Sequence, residues 1–508
     1  MNIKGLNKYK KTLSLFLGSL SVLALPPYYI FPILFITFSG LTLLLTNTQT
    51  KKQAFACGYW FGFGFFALGL SWIGNALLIE AATFGWLYPL TLIASGAFFG
   101  LFFGIPTLLT HYFKGTTAKI LSLTALIVLF EWLRSFILTG FPWNLLGTTL
   151  AFSIELMQAA AVFGTYGLSL AVILTTSLPA LFIKEKNKTG LIAPVFILYS
   201  LYMFGQFRTE QHQDVTMSGY YASDISIKIV QPAIPQTMKW SKETLENNFQ
   251  EHIDLSKTGK DANLIIWGET ASPFRLDTDE PRRKQIADSL AENSHLITGL
   301  VRVEASEQGI YQPLNSSVII NKQGGIVDFY DKSHLVPFGE YIPFRRYLPV
   351  GFRPITNTIS DFRPGEKHKK IQIPGIPPFG ILICYEIIFP GQIVDRNNRP
   401  EWLINLTNDG WYGDSSGPRQ HLVSTQLRAI EEGMAIVRVA NTGISALISK
   451  TGRILGKIEL NRKGILEINL PKRLNISTLY SRLGNSIPLA LIIVIILSAL
   501  ALSRRYKR

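Results

Sequence analysis

Apolar positions are distributed along this chain in two different ways. Between residues 13 and 207 they form long runs with little polar interruption, whereas between 208 and 482 they break into short stretches bounded by polar and turn-forming residues. A last apolar run begins after 484 and gives way to a basic tail. A helix needs roughly 20 mostly apolar residues to cross a bilayer, because every backbone polar group must be satisfied without water. Candidate spans lie near 13–25, 28–46, 54–79, 84–112, 120–138, 157–183, 190–206 and 486–502. The first is short, follows Lys8, Lys10 and Lys11 and runs through Pro26-Pro27 into the second. No small-residue cleavage motif follows it, so it reads as a retained helix, not a signal peptide.

The middle segment carries strand-like runs: ISIKIVQP, NLIIWGE, HLITGLVRV, NSSVIIN, GGIVDFYD, FGILICYE, EWLINLTND, AIVRVAN, GISALIS and KGILEINL. Many are continuously apolar and β-branched, as strands covered on both faces are. Helix-like stretches fall at 242–257, 280–293 and 417–433. This mixture predicts a layered α/β sandwich. The expected organisation is therefore an α-helical membrane domain over 1–207, an α/β domain over 208–483, and a transmembrane helix with a basic tail over 484–508, about eight transmembrane helices in all.

Charge sharpens that picture. The formal net charge is +15, which raises nucleic acid as a partner. Residues 208–482, however, hold 33 Lys and Arg against 30 Asp and Glu, so the excess lies in the apolar part. With the N-terminus inside, fifteen bases fall in inside segments: Lys4, Lys8, Lys10, Lys11, Lys51, Lys52, Lys114, Lys119, Lys184, Lys186, Lys188, Arg504, Arg505, Lys507 and Arg508. That asymmetry sets orientation in membranes. It predicts both termini on the cytoplasmic side, the 208–482 segment on the outer face (the periplasm of a bacterium), and no nucleic acid as partner. Within the apolar part, Glu131 and Arg134 stand three apart on one helix face. An ion pair that orients the helix and a lining for a substrate cavity are both compatible with that spacing. Glycines in GYWFGFGFFALG and SGAFFGLFFG read as close helix packing.

Chemistry concentrates at strand ends in the middle segment. Glu269 lies just beyond LIIWG, Lys332 just beyond FYD, Glu340 eight residues later, and Cys384 at the end of ILI, followed by Tyr385 and Glu386. Active sites in α/β folds gather at such ends. Taken singly each residue is ordinary, and a cysteine ending an apolar strand is most often a small buried hydrophobe. The two cysteines, Cys57 and Cys384, are expected to be free thiols, since one lies in a membrane run and the other in the α/β segment. His295, His334 and His421 are scattered and no HExxH occurs, so neither metal nor cofactor is expected.

In combination these residues resemble the nitrilase, or carbon–nitrogen hydrolase, superfamily, whose members carry a Glu-Lys-Cys triad in an αββα sandwich. The signatures are WGET around Glu269, DKSHLVPFGEY around Lys332 and CYE around Cys384; LTNDGWYGDSSGPRQH and IVRVANTG also resemble the family's later half. Placed between membrane helices, with GFPWN, QPAIPQTMKW and PFGEYIP, this domain is similar to the apolipoprotein N-acyltransferase family. The resemblance implies Glu269 as general base, Lys332 as electrostatic stabiliser and Cys384 as nucleophile. It implies Glu340 as a supporting glutamate, and Tyr385, Glu386, Trp240 and Trp411 near the substrate pocket. It further implies transfer of an acyl group from a phospholipid, through a Cys384 thioester, to the α-amine of a diacylglyceryl-cysteine apolipoprotein by a monomeric inner-membrane enzyme. The alternative is a membrane-tethered amidase that passes the acyl group to water. The stretch 336–354, with Arg345, Arg346, Arg353 and four prolines, reads either as a surface loop or as a mobile arm dipping into the lipid interface.

Overall fold

The computed structural model describes residues 9–212, 215–216, 219–220, 222–305, 311–347, 360–472 and 474–506. Two compact units make up the chain: one is Met1–His212 with Ser415–Glu432 and Thr478–Arg508, the other Gln213–Asp414 with Gly433–Ser477.

The first unit is helical. Each apolar run contains a helix, but five helices among the described residues are long and apolar enough to cross a bilayer: Ala81–Thr110, Thr116–Leu133, Ala160–Glu185, Thr189–Gln211 and Ser486–Arg505. Lys51–Gly69 and Ser71–Leu78 make a sixth if the pair, bent by 41°, counts as one span. The expected eight full spans are thus corrected downward. Lys10–Ser21 has 12 residues and Ile33–Thr46 has 14. Fourteen residues rise only about 21 Å, short of the roughly 30 Å hydrocarbon thickness. The cause is local: Pro26, Pro27 and Pro32 lie between these two helices and supply no N–H for a continuous backbone ladder.

Glycine does pack helices here. A Cβ on Gly58 would lie 2.4 Å from the Phe103 carbonyl oxygen, so only hydrogen lets these two helices approach. Glu131 and Arg134 both serve the segment that follows their helix. The Arg134 guanidinium donates to the Phe141 and Trp143 carbonyls, each at 2.7 Å, while Glu131 accepts from the Leu146 N–H at 2.8 Å. The helix Ser416–Glu432 lies inside the 208–483 stretch of sequence yet groups with this helical unit. Its polar side chains explain why: Gln420 accepts from the Trp143 indole at 2.8 Å, and Glu431 accepts from the Thr165 N–H at 2.6 Å and pairs with Arg428 at 2.6 Å.

The second unit is the α/β domain. Its strands in chain order are β1 (Val215–Thr216), β2 (Gly219–Tyr220), β3 (Ala222–Gln231), β4 (Leu264–Ile266), β5 (His295–Ala305), β6 (Tyr311–Asn321), β7 (Ile326–Asp331), β8 (Lys370–Ile373), β9 (Ile376–Ile383), β10 (Trp402–Thr407), β11 (Ile436–Ala440), β12 (Ser445–Ile448), β13 (Ile454–Ile458) and β14 (Gly464–Pro471). One six-stranded sheet runs β14-β3-β4-β5-β6-β7, the other β13-β12-β11-β10-β9-β8. Each has a parallel centre, β3-β4-β5 and β9-β10-β11, with antiparallel flanks.

Side-chain alternation sorts the layers. Ile227, Ile229, Leu264, Ile266 and Ile297 from the first sheet join Ile381, Ile383, Trp402, Ile404, Leu406, Val437 and Val439 from the second in one apolar core. The intervening residues Val230, Ile265, Leu296, Val318 and Ile320 point the other way, onto Phe249 and Ile253 of the helix Leu245–Lys257 and Ile286 of Glu280–Ala287. This is the period-two pattern of a sheet covered on both faces. Its use here is positional: β7 and β9 lead directly into Lys332 and Cys384, and β4 leads to Glu269 three residues on.

Candidate active site

Glu269 lies three residues beyond β4, and its loop is seated on β5. Gly299 donates its N–H to the Gly268 carbonyl at 3.1 Å and accepts from the Ser272 N–H at 3.0 Å. A Cβ at Gly299 would sit 2.3 Å from the Thr270 nitrogen, so any larger residue displaces the loop that carries Glu269. Thr270 itself holds φ at +45°, a conformation that costs a non-glycine residue energy and marks a tightly specified turn.

Lys332 follows β7 directly. Its backbone N–H donates to the Asn315 carbonyl at 2.8 Å. Its ammonium, 1% exposed, contacts both carboxylates: Glu340 at 2.9 Å and Glu269 at 3.7 Å. Asn315 completes the arrangement, its side-chain amide donating to Glu269 at 2.8 Å and to Glu340 at 2.8 Å. The Val336 N–H holds the other Glu340 oxygen at 2.8 Å. Burial alone would lower the Lys332 pKa, but the charges of Glu340 and Glu269 outweigh it and hold the ammonium firmly protonated.

Cys384 follows β9 directly at φ +51°, as the first residue of the 3₁₀ segment Cys384–Ile388, and is 6% exposed. Its Sγ accepts from the Thr407 hydroxyl at 3.4 Å, and the Tyr412 hydroxyl is a second hydrogen-bond partner. Burial first, and the Glu269 charge second, push the thiol up to about 12; Lys332 pulls it the other way. At neutral pH this sulfur rests as a thiol. Beneath it, Asp409 accepts from Thr407 at 3.0 Å and from Arg438 at 2.6 Å, and Arg438 reaches Asn405 at 2.7 Å.

The remaining expected residues divide. Glu340 is in the cluster. Glu386 is a latch: it accepts from the Tyr330 hydroxyl (2.9 Å), the Ser333 N–H (2.8 Å) and hydroxyl (2.7 Å), the His334 N–H (3.1 Å) and the Ile383 N–H (2.7 Å). It thereby ties the Lys332 segment to the turn that carries Cys384. Burial raises its pKa and those backbone and hydroxyl donors oppose the rise. Tyr385 is buried against the rings of His334 and Phe389, at centroid distances of 5.7 and 5.1 Å. Trp411 is half-buried in the 3₁₀ turn Asp409–Tyr412, and Trp240 is 46% exposed beside the buried Lys239.

Several members of the site carried no distinctive signal in the sequence. Asn315 and Thr407 stand in ordinary strand runs, and Tyr412 adjoins the more conspicuous Trp411. Lys239 lay within the QPAIPQTMKW motif but was overshadowed by Trp240. Both cysteines are free. Of the 336–354 stretch, residues 348–354 lie outside the described residues. Within the rest, Phe338, Phe344 and Tyr347 are well exposed and Arg345 pairs with Asp361 at 2.7 Å.

Comparison with known proteins bears on the whole chain. Residues 17–178 match the apolipoprotein N-acyltransferase N-terminal domain, and residues 227–474 match the carbon–nitrogen hydrolase domain. An apolipoprotein N-acyltransferase of Rhodopseudomonas palustris is 36% identical, the alignment covering 98% of this chain and 95% of that one. One of Rickettsia prowazekii is 36% identical over 96% of this chain and 97% of its own length. An amidase of the nitrilase superfamily from Nesterenkonia is 17% identical, with a TM-score of 0.37 over 49% of this chain and 92% of that one. On the near-complete coverage by these relatives, the chain belongs to the apolipoprotein N-acyltransferase family, acyltransferases of the carbon–nitrogen hydrolase superfamily with a membrane-helical part.

Proposed function

We propose that Cys384 takes a fatty acyl group from a phospholipid as a thioester and passes it to the α-amine of an S-diacylglyceryl cysteine at the N-terminus of an apolipoprotein. The observation that carries this reading is the pair of carboxylates, Glu269 and Glu340, held on one buried ammonium beside a thiol at a positive-φ turn. A thiol near 12 does not attack as a preformed thiolate. Glu269 accepts its proton as Sγ bonds to the ester carbonyl carbon, and Lys332 offsets the charge that develops on the carbonyl oxygen. The ester C–O bond then breaks and the proton on Glu269 goes to the departing lysophospholipid oxygen. In the second half the amine attacks the thioester, Glu269 takes an amine proton, the C–S bond breaks and the proton returns to sulfur. An acyl donor and a diacylglyceryl acceptor are both lipids, which accounts for membrane helices on a hydrolase-like domain.

On this reading 1–207 and 484–508 hold a monomeric enzyme in the inner membrane of a bacterium, with both termini cytoplasmic. The segment 208–483 does the chemistry on the periplasmic face, its helix Ser416–Glu432 excepted. Trp240, Tyr385 and Trp411 contribute the aromatic surroundings of the substrates, and Glu386 fixes the turn carrying the nucleophile. The test is intact mass spectrometry of the purified full-length protein after exposure to phospholipid vesicles. An acyl adduct that maps to Cys384, is absent from Cys384→Ala, and is discharged onto a diacylglyceryl-cysteine peptide is the expected result. Release of free fatty acid with no N-acyl peptide would overturn the transferase reading in favour of water as acceptor.

A further inference from the structure

Of the buried cations in the α/β unit outside the Glu269, Lys332 and Cys384 group, Lys239 bonds to the Glu269 turn. Lys239, in the loop after β3, is 5% exposed, and its ammonium donates to the Glu269 backbone carbonyl at 2.9 Å and to the Thr270 hydroxyl at 2.8 Å. Burying an ammonium is costly unless something in the fold uses its charge. The surface of the unit offers many places for a lysine in water, and this one is instead spent on the two residues that define the Glu269 turn.

The geometry gives it a use. Lys332 lies closer to Glu340 (2.9 Å) than to Glu269 (3.7 Å), so a single ammonium serves two carboxylates unequally. Lys239 adds a second cation, bonded to the backbone of Glu269 and within electrostatic reach of its charge. The same bonds clamp Thr270, whose φ of +45° is unfavourable for a β-branched residue. We propose that Lys239 is a positioning residue for the acyl transfer, locking the Glu269 turn through its carbonyl and the Thr270 hydroxyl while supplying the second cation of the site. This rests on the reading of Glu269 as the base for Cys384.

The titratable groups that act on Lys239 are Glu269 and Cys384, and Lys239 in turn acts on His252 of the helix Leu245–Lys257. Burial brings the Lys239 pKa down to about 8, with Glu269 and then Cys384 resisting the fall. His252 stays neutral above about 4 and Cys384 protonated below about 12, so neither titrates near 8. Acyl transfer should therefore decline as pH rises through about 8, when the ammonium is lost.

The experiment compares wild type, Lys239→Met and Lys239→Arg, each full-length in detergent and each also carrying Cys57→Ser so that Cys384 is the one thiol. Rates of acyl-enzyme formation from phospholipid and of Cys384 alkylation by iodoacetamide are followed from pH 6 to 10. In Lys239→Met acylation should fall by about 100-fold, as loss of catalytic alignment does, with little change in the lipid concentration for half-maximal rate. Lys239→Arg, which stays charged throughout, should fold even if Lys239→Met does not, recover activity to within about tenfold of wild type, and lack the alkaline decline. An alkaline decline near 8 that persists in Lys239→Arg, or a Lys239→Met rate equal to wild type, would overturn the proposal. Should wild type form no acyl-enzyme at all, the function proposed above fails. The alkylation profiles then decide alone: a wild-type profile that changes near pH 8 and loses this feature in Lys239→Arg supports the second-cation role, and identical profiles overturn it.

Discussion

Asn315 is one neutral side chain that touches both carboxylates of the site. Its two amide hydrogens go to Glu269 and Glu340, 2.8 Å each, while Lys332 occupies the same two groups from the other side. Replacing it by Leu keeps the volume and removes both donors, leaving the buried Glu269 oxygen with the longer 3.7 Å contact to Lys332. Turnover of Asn315→Leu is expected to drop about 100-fold through misaligned Glu269, with a small change in the KM for phospholipid, measured as N-acyl peptide formed. Asn315→Asp should be worse, since it sets a third carboxyl group against two others. Glu269, Lys332 and Cys384 stood out in the sequence because each lies at or just beyond the end of a strand-like run, a position that can be read without coordinates. Asn315 was not legible: in NSSVIIN it is one polar residue at the start of a strand, and only the antiparallel pairing of β6 with β7 puts it across from Lys332. Tyr412 escaped for a similar reason, since the 3₁₀ turn Asp409–Tyr412 decides which of two adjacent aromatics meets the sulfur.

Among elements, the helix Leu245–Lys257 shows what the sheet demands of its cover. Its apolar face is interrupted by His252, 2% exposed, whose ring lies 4.8 Å from that of Trp267 and whose Nδ1 is 2.7 Å from the Asn248 carbonyl oxygen. Burial lowers this histidine's pKa to about 4, against roughly 6.5 in an unfolded chain. Above pH 6.5 neither state binds the proton and stability is unaffected. As pH falls from 6.5 toward 4 the unfolded chain takes up a proton that the folded chain refuses, so stability falls with pH. At pH 5 the loss attributable to this one group is about 2 kcal/mol. Thermal unfolding followed at pH 7 and pH 5 should show a drop in Tm that His252→Phe reduces, because phenylalanine retains the ring contact and cannot charge. An equal drop in both proteins would show that His252 is protonated without penalty. Most strands of the two six-stranded sheets were readable from apolar runs, β3 to β7 and β9 to β12 among them. Two strands of these sheets were not: β8 (Lys370–Ile373) is four residues that begin on a lysine and follow Lys367, His368 and Lys369, and β13 (Ile454–Ile458) has a glycine and a lysine within five residues. Edge strands such as these are given by pairing more than by composition.

At the scale of the whole molecule, the proposed orientation in the membrane rests on an asymmetry that no single residue carries. Of the 16 bases outside 208–482, fifteen fall in inside segments when the N-terminus is inside. The short helices Lys10–Ser21 and Ile33–Thr46 do not upset this count, because the chain turns between them at Pro26-Pro27 and Lys51 still follows the second. Helix existence was therefore legible from apolar runs while helix length was not, since prolines, kinks and capping residues set where each one stops. Orientation is testable in the intact chain with Cys57→Ser and Cys384→Ser as background and one new cysteine at a time. Lys52, Lys188 and Lys257 are all exposed, so a cysteine at each is reachable by a membrane-impermeant maleimide if it faces the reagent. In spheroplasts Lys257→Cys should label at once, whereas Lys52→Cys and Lys188→Cys should label only after the membrane is opened. Labelling of Lys52→Cys or Lys188→Cys in sealed spheroplasts would reverse the proposed topology. It would also move Cys384 to the cytoplasmic face, where an exported acceptor amine could not reach a thioester.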